Sequence, residues 1–401
     1  MKRTGRRLST KSNENLIPPN PPLLKGSRGD FQREKIPLVD LKAGFGPIRD
    51  EIMKAVESVF SAMNLYIGPN VHALEKEFAS YCKTKYAIGV GSGTDAIHLA
   101  LLSAGIRKGD EVIVSPNTFF ATVEAIAYTG AVPVFVDIDP VTYTINTSLI
   151  EKKINSRTKA VIPVHMYGQA ADMTPIMKLS EKYGIKIIED ACQAHGAEHK
   201  NKKCGSIGDA GCFSFYFTKN LGGYGEGGMV VTNNHEIAEK VRLFRNHGHK
   251  SKYEHSVIGY NNRLDELQAA ILRIKLKYLD NYNEKRRDIA KKYNAFLENT
   301  PLSLPKEAAN RKHVYHLYVI RTEERDDLQE YLNGKGISTG IHYKIPIHLQ
   351  EACQQYNYKS GDFPEVEKNC REILSLPIYP ELEDKNINYV TDSIKEFYTN
   401  R

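Results

Sequence analysis

Lys219 sits near the middle of the run FSFYFTKNLGGYGEGG (213–228), behind apolar and small residues and ahead of five glycines. A lysine in that place either snorkels its amine to water or reacts. Partial burial depresses its pKa and raises the neutral, nucleophilic fraction that Schiff-base chemistry requires. The glycines permit tight turns around a bulky ligand. Three other stretches carry chemistry. IIEDACQAHG (187–196) ends an apolar run in Glu189-Asp190, which puts Asp190 at the C-terminal end of a strand, where open α/β sheets bind ligands. VGSGTDAIHLAL (90–101) leads through Gly91, Ser92, Gly93 and Thr94 into a helix whose N-terminal N–H groups suit a phosphate. PNTFFATVEA (116–125) sets Phe119 and Phe120 before another helix near the same sheet edge.

Taken singly, each has a plain structural reading: a snorkelling lysine, a solvated acid, a capped turn, a core aromatic. Taken together they supply what pyridoxal 5'-phosphate needs. That is a phosphate cup, an aromatic cover, an acid for the ring nitrogen and a lysine for the aldehyde. The six cysteines show neither CxxC pairing nor zinc spacing, so no metal site is expected and the thiols read as reduced and cytosolic.

The elements that must position these residues follow from periodicity. Helical spacing marks 48–60 and 71–82. Short, β-branched strands at 86–91, 111–115, 132–138, 159–166 and 185–190 then alternate with helices. This predicts an α/β domain with a mostly parallel sheet covered on both faces. Strands at 212–217 and 228–233 follow, and their Gly-rich link allows an antiparallel pair. The stretch 263–300 reads as one long connecting helix. Beyond it come a strand at 316–321, a helix at 325–336, a strand at 338–343, and helices near 364–375 and 384–398. The expected organisation is a large domain over 36–262, the connecting helix, and a small α+β domain over 301–401.

The motifs also occur in a particular order. SGTDA (92–96), NTFFAT (117–122), PVHMYGQAADM (163–173), EDACQAHGA (189–197), FSFYFTKNLGGYGEGG (213–228) and GYNNRLDELQAA (259–270) resemble the DegT/DnrJ/EryC1/StrS family of sugar aminotransferases. The resemblance runs from Ile36 to the C-terminus. It implies an aspartate-aminotransferase-like fold (PLP fold type I) and pyridoxal 5'-phosphate as cofactor. Lys219 is then the residue that binds the cofactor aldehyde and moves the substrate proton, and Asp190 pairs with the ring nitrogen. Gln193 lies by the ring hydroxyl and Phe119 stacks, with Phe120 the alternative. Gly93, Thr94 and Ser214 hold the phosphate, while Asn261 and Arg263 reach it from the second subunit of a homodimer. The implied substrates are L-glutamate and a nucleotide-linked keto sugar. Relatives that dehydrate sugars carry histidine at the lysine position, so Lys219 argues against that branch. VYHLYVIR (314–321) and GIHYKIPIHLQ (340–350) look like members acting at C3 rather than C4. Tyr66, His342, Tyr343 and His348 are candidates for the sugar or nucleotide pocket. Phe217 and Lys344 stand where relatives have proline, and Cys192 where they have alanine.

Bulk composition excludes other classes. Of the net charge of +7, nearly all lies in residues 1–35, which hold nine Lys/Arg against three Asp/Glu. The near-neutral remainder carries no nucleic-acid footprint. Residues 1–35, basic and proline-rich, read as a disordered tail, and Arg6-Arg7 lack the apolar run of an export signal. No run of about 18 apolar residues predicts a membrane span, and a cytoplasmic location is expected. Two rivals remain: a nicotinamide oxidoreductase using GVGSGT, which lacks the third glycine of the fingerprint, and a non-catalytic regulatory relative.

Overall fold

The structure, a computed structural model, describes residues 35–401, so the basic tail lies outside the described residues apart from Lys35. Seven strands build the central sheet: β1 (Tyr86–Val90), β2 (Glu111–Val114), β3 (Val132–Phe135), β4 (Thr158–Ile162), β5 (Lys186–Asp190), β6 (Ala210–Ser214) and β7 (Gly228–Thr232). Their spatial order is β1-β7-β6-β5-β4-β2-β3. Only β7 runs antiparallel, to both β1 and β6; the remaining pairs are parallel. The β-branched strands are buried on both faces, as crossover helices demand.

Helices α1 (Arg49–Ala62), α2 (Pro69–Cys82), α3 (Gly93–Ser103), α4 (Phe120–Tyr128), α5 (Met173–Tyr183) and α6 (His235–Arg245) accompany the sheet. Helix α3 follows β1 directly, capped by Ser92, whose hydroxyl accepts from the Asp95 N–H at 3.0 Å. One buried ion pair ties three elements together. Arg245 on α6 meets Glu75 on α2 and donates to the carbonyl of Gly89, while Glu75 Oε1 accepts from the Gly89 N–H at 2.9 Å. Glu75→Ala would strand the Arg245 cation in a site where it is 4% exposed. Such a change leaves an uncompensated buried charge, and we expect a loss of about 3–5 kcal/mol in urea unfolding.

Three sequence expectations are corrected. The stretch 263–300 is two helices, α7 (Glu266–Leu276) and α8 (Leu279–Leu297), separated at Lys277-Tyr278. There i→i+3 bonds from Lys277 and Tyr278 close α7 without any glycine or proline to announce it. The strand before Lys219 ends at Ser214 rather than at 217, because its last ladder partner is Gly228. In the C-terminal part, 338–343 is not a strand. β8 (Tyr318–Arg321) pairs antiparallel with β9 (Ile373–Leu376), which follows directly on helix α10 (Pro364–Glu372). Residues 340–343 are tethered beside β9 through a single bridge, Gly340 to Ser375.

Helices α9 (Arg325–Gly334) and α11 (Asp384–Thr399) and the C-terminal half of α8 enclose a second core around Tyr293, Tyr318, Leu328 and Ile394. Ile36 joins this C-terminal core and bridges to Ile337. Among the described residues no helix is long and apolar enough to cross a membrane.

Candidate active site

Asp190 and Glu189 are neighbours at the end of β5, and strand alternation sends them to opposite faces. Glu189 is fully buried and spent on structure. It accepts from the N–H groups of Gly205 at 2.8 Å, Ile207 at 2.6 Å and Gly208 at 2.7 Å, and from His165 at 2.9 Å. Asp190, also buried, faces the C-terminal edge of the sheet. Its Oδ2 accepts from the Thr122 hydroxyl at 2.8 Å and its Oδ1 from the Cys192 N–H at 3.1 Å. Since the Thr122 proton goes to the carboxylate, Thr118 must donate in the 2.7 Å contact between the two threonines. Sequence reading missed both threonines. Their spacing of four on either side of a helix start, beside a strand-end acid, was the available signal.

Lys219 lies in a turn after β6, its N–H bonded to the Tyr216 carbonyl at 2.9 Å. Burial lowers its pKa below the ordinary lysine value, partly offset by neighbouring Cys192 and Asp190. The neutral amine is therefore more available than in a surface lysine. Gly222 keeps the turn tight: a Cβ there would stand 2.6 Å from the Phe217 carbonyl oxygen. Phe217 itself packs on Tyr216, ring centroids 4.1 Å apart.

The candidate phosphate cup lies where α3 meets β6 and β7. With Asp95 capped by Ser92, the N–H groups of Gly93 and Thr94 head the first turn without intrahelical partners. A Cβ at Gly93 would lie 2.6 Å from the Ser214 Cβ, and one at Gly228 would lie 2.1 Å from the Ser92 carbonyl oxygen. Glycine at these two positions lets the start of α3 lie against the Ser214 side chain and β7 against the Ser92 carbonyl. Phe119 is 55% exposed, while Phe120 is half-buried and packs against the core, so Phe119 is the aromatic more available to a ligand. Gln193 accepts from the Tyr167 N–H at 2.9 Å and donates to the Tyr343 hydroxyl at 3.4 Å.

His342 and Tyr343 also reach the site. The His342 carbonyl accepts from the Tyr167 hydroxyl, its Nδ1 contacts the Ser375 hydroxyl at 2.9 Å, and the Tyr343 ring lies 5.6 Å from that of Phe119. His348 does not. It is buried against Phe363 with Nε2 on Glu367 at 3.1 Å, and reads as packing. Tyr66, Asn261 and Arg263 gather at the rim. The Arg263 guanidinium lies 4.5 Å from the Tyr66 ring centroid and donates to Asn246 at 3.2 Å, and Asn261 is exposed. Their loop abuts the cup through Asn262, whose amide donates to Asp95 at 2.8 Å. Among the described residues no hydrogen bond joins Asn261 or Arg263 to Gly93, Thr94, Ser214 or Lys219.

This donor set fits pyridoxal phosphate: a lowered lysine, an ionisable acid held by two donors, a helix N-terminus opened by glycine and an exposed aromatic. The pattern of the DegT/DnrJ/EryC1/StrS aminotransferase family matches residues 47–395. The chain belongs to this family. The aminotransferase is 47% identical to a pleiotropic regulatory protein of Geobacillus stearothermophilus (90% of this chain, 98% of that one). It is 43% identical to dTDP-3-amino-3,4,6-trideoxy-alpha-D-glucose transaminase of Streptomyces venezuelae (90% and 96%). A third relative, 44% identical, is UDP-N-acetyl-3-dehydro-alpha-D-glucosamine 3-aminotransferase of Acidithiobacillus ferrooxidans (91% and 98%). Among solved structures, S. venezuelae DesV in complex with a ketimine intermediate superposes with a TM-score of 0.89 at 42% identity (91% and 99%). NtdA of Bacillus subtilis, with bound PMP cofactor, gives 0.85 at 33% identity (92% and 86%). The aminotransferase is thus a PLP-dependent enzyme of fold type I, and the expected α/β architecture holds.

Its buried histidines make stability pH-dependent. Burial pushes His195 and His313 down to about 3, and His98 and His342 to about 4, from the ordinary 6.5. Below pH 6.5 the unfolded chain binds protons that the folded chain refuses. Stability therefore falls with pH from about 6.5 to the folded values, by roughly 1.4 kcal/mol per pH unit for each group. Urea midpoints are expected to drop steeply between pH 7 and 5.

Proposed function

We propose that this enzyme transfers the amino group of L-glutamate to the C3 keto group of a nucleotide-linked deoxysugar. The observation that carries the reading is the joint presence of the Lys219–Asp190 pair and of relatives, covering nearly the whole chain, that are named for 3-amino sugars. When bound, the cofactor supplies the electron sink for the carbon that gains or loses nitrogen. The chain supplies the rest. Lys219, its pKa lowered by burial, takes and returns the proton at that carbon. Asp190, fixed by Thr122 and the Cys192 N–H, offers a carboxylate to the ring nitrogen and favours its protonated form. Gly93, Thr94 and Ser214 hold the phosphate, Phe119 covers the ring, and Gln193 lies by its hydroxyl side. His342 and Tyr343 line the sugar side, with Tyr66 at the rim.

The working unit is a homodimer in the cytoplasm, with Asn261 and Arg263 of one subunit completing the phosphate region of the other. Exposed Phe60, Met63, Leu65, Tyr128 and Ile258 support an apolar interface. The test is a panel of nucleotide-linked 3-keto and 4-keto sugars with glutamate, followed by product mass and NMR. Amination only at C4 would move the protein to the other branch. No glutamate-dependent conversion of the cofactor to its pyridoxamine form would favour a regulatory role.

A further inference from the structure

Tyr66 is an exposed residue on a loop that is fastened at both ends to the segment following Arg263. Before Tyr66, the Leu65 carbonyl accepts from the Glu266 N–H at 3.0 Å, and Tyr66 itself bridges to Asp265. Beyond it, the Glu266 carboxylate accepts from the N–H groups of Gly68 and Val71, each at 3.1 Å, and from that of Asn70. These donors head α2, where Gly68 has no side chain to cap with and Pro69 has no N–H. Glu266, on α7 and 1% exposed, caps α2 from outside. Arg273, further along α7, adds a bond to Asn70 Oδ1 at 2.8 Å. Between the two fastenings Ile67 has a φ of 43°, a left-handed conformation that a β-branched residue keeps only where its surroundings enforce it. The fastening segment is in turn fixed to the candidate phosphate cup. Arg263 bridges to Val90, and the Gly91 N–H donates to the Asn262 carbonyl at 3.0 Å.

We propose that Glu266 is a positioning residue for the nucleotide-linked sugar: it clamps the 65–68 loop so that Tyr66 stays on the Arg263 guanidinium and offers its ring to the nucleotide part. The inference rests on Tyr66 belonging to the substrate pocket. The keto carbon must reach Lys219, so an aromatic at the rim meets the far end of the substrate, where a ring face can stack on a base. Arg263 holds the Tyr66 ring from one side, 4.5 Å from its centroid. Strain at Ile67 explains why a clamp is needed. With the Gly68 end released, residue 67 relaxes to an ordinary φ and carries the ring away from Arg263. Among the described residues the Glu266 side chain bonds only to the N–H groups of Gly68, Asn70 and Val71, so the reaction with glutamate does not draw on it.

The test measures nucleotide binding and the glutamate half-reaction separately in the full-length holoenzyme. UDP, dTDP and GDP are the probes, titrated by calorimetry. Glu266→Gln replaces one acceptor oxygen by an N–H2 group among three converging donors. Affinity for the best-bound probe is expected to fall about tenfold, with the half-reaction rate within about twofold of wild type. Gly68→Ala reaches the clamp by a second route. Its φ of −99° admits alanine, but the new Cβ would stand 2.9 Å from Glu266 Cδ and force loop and carboxylate apart, with a similar loss of affinity expected. Tyr66→Ala should lose as much, and Glu266→Gln added to it should cost nothing further, because the clamp acts through that ring. Additive losses in the double variant, a half-reaction that falls as far as the affinity, or wild-type affinity in either clamp variant overturns the proposal. Unchanged affinity in Tyr66→Ala, or a wild type that binds none of the probes, would instead remove the reading of Tyr66 on which the proposal rests.

Discussion

Lys219→Ala is expected to lower turnover by at least about 10⁴-fold and to abolish covalent attachment of the cofactor. On the proposed reading the amine does two jobs that alanine cannot share out: it binds the aldehyde, and it moves the proton at the reacting carbon. Lys219→Arg should fail almost as completely, because a guanidinium stays protonated and neither condenses nor acts as a base. Borohydride trapping followed by peptide mass reads the attachment, and single-turnover absorbance with glutamate reads the chemistry. The fold should survive. Burial already disfavours the charged lysine, so its removal costs no buried partner, and the unfolding midpoint should be unchanged or higher. Retained turnover in the alanine variant would falsify the assignment.

Asp190→Asn carries the second large effect, about 10³-fold on the rate of the glutamate half-reaction. The substitution is nearly isosteric, and its hydrogen bonds can be rebuilt. The amide oxygen can still accept from the Cys192 N–H, and the amide nitrogen can donate to Thr122 Oγ1, whose hydroxyl then turns toward Thr118. Stability should therefore change little while the negative charge that, on the proposed reading, faces the ring nitrogen is lost. Equal losses in the half-reaction and in the urea midpoint would mean that Asp190 acts through the fold rather than on the cofactor.

Legibility in the sequence followed the range of the interaction. Strand ends, helix starts and turn glycines are local, so Asp190, the Gly93-Thr94 helix start and Lys219 were legible as candidates, while Ser214 came only with the family resemblance. The break at Lys277-Tyr278 carries no glycine or proline, so periodicity ran through it. The strand at 373–376 also stayed hidden, because its pairing partner at 318–321 lies far back along the chain. His348 shows why residue type alone misleads. A histidine two residues past a proline in a pocket-like segment turned inward to Glu367, a partner visible only in three dimensions.

The sequence by itself determined the chemistry, because a lysine before glycines, a strand-end acid and a glycine-opened helix N-terminus each act through their own few residues. Tertiary structure decided the settings of that chemistry. It chose Phe119 over Phe120 by exposure, separated Glu189 from Asp190 by face, and recruited Thr118 and Thr122 to hold the acid. It also joined Asn220 to Asn283, Val314 and His316 across the fold. Burial and hydrogen-bond direction depend on what distant segments bring, and they are what set a lysine's pKa and a histidine's tautomer.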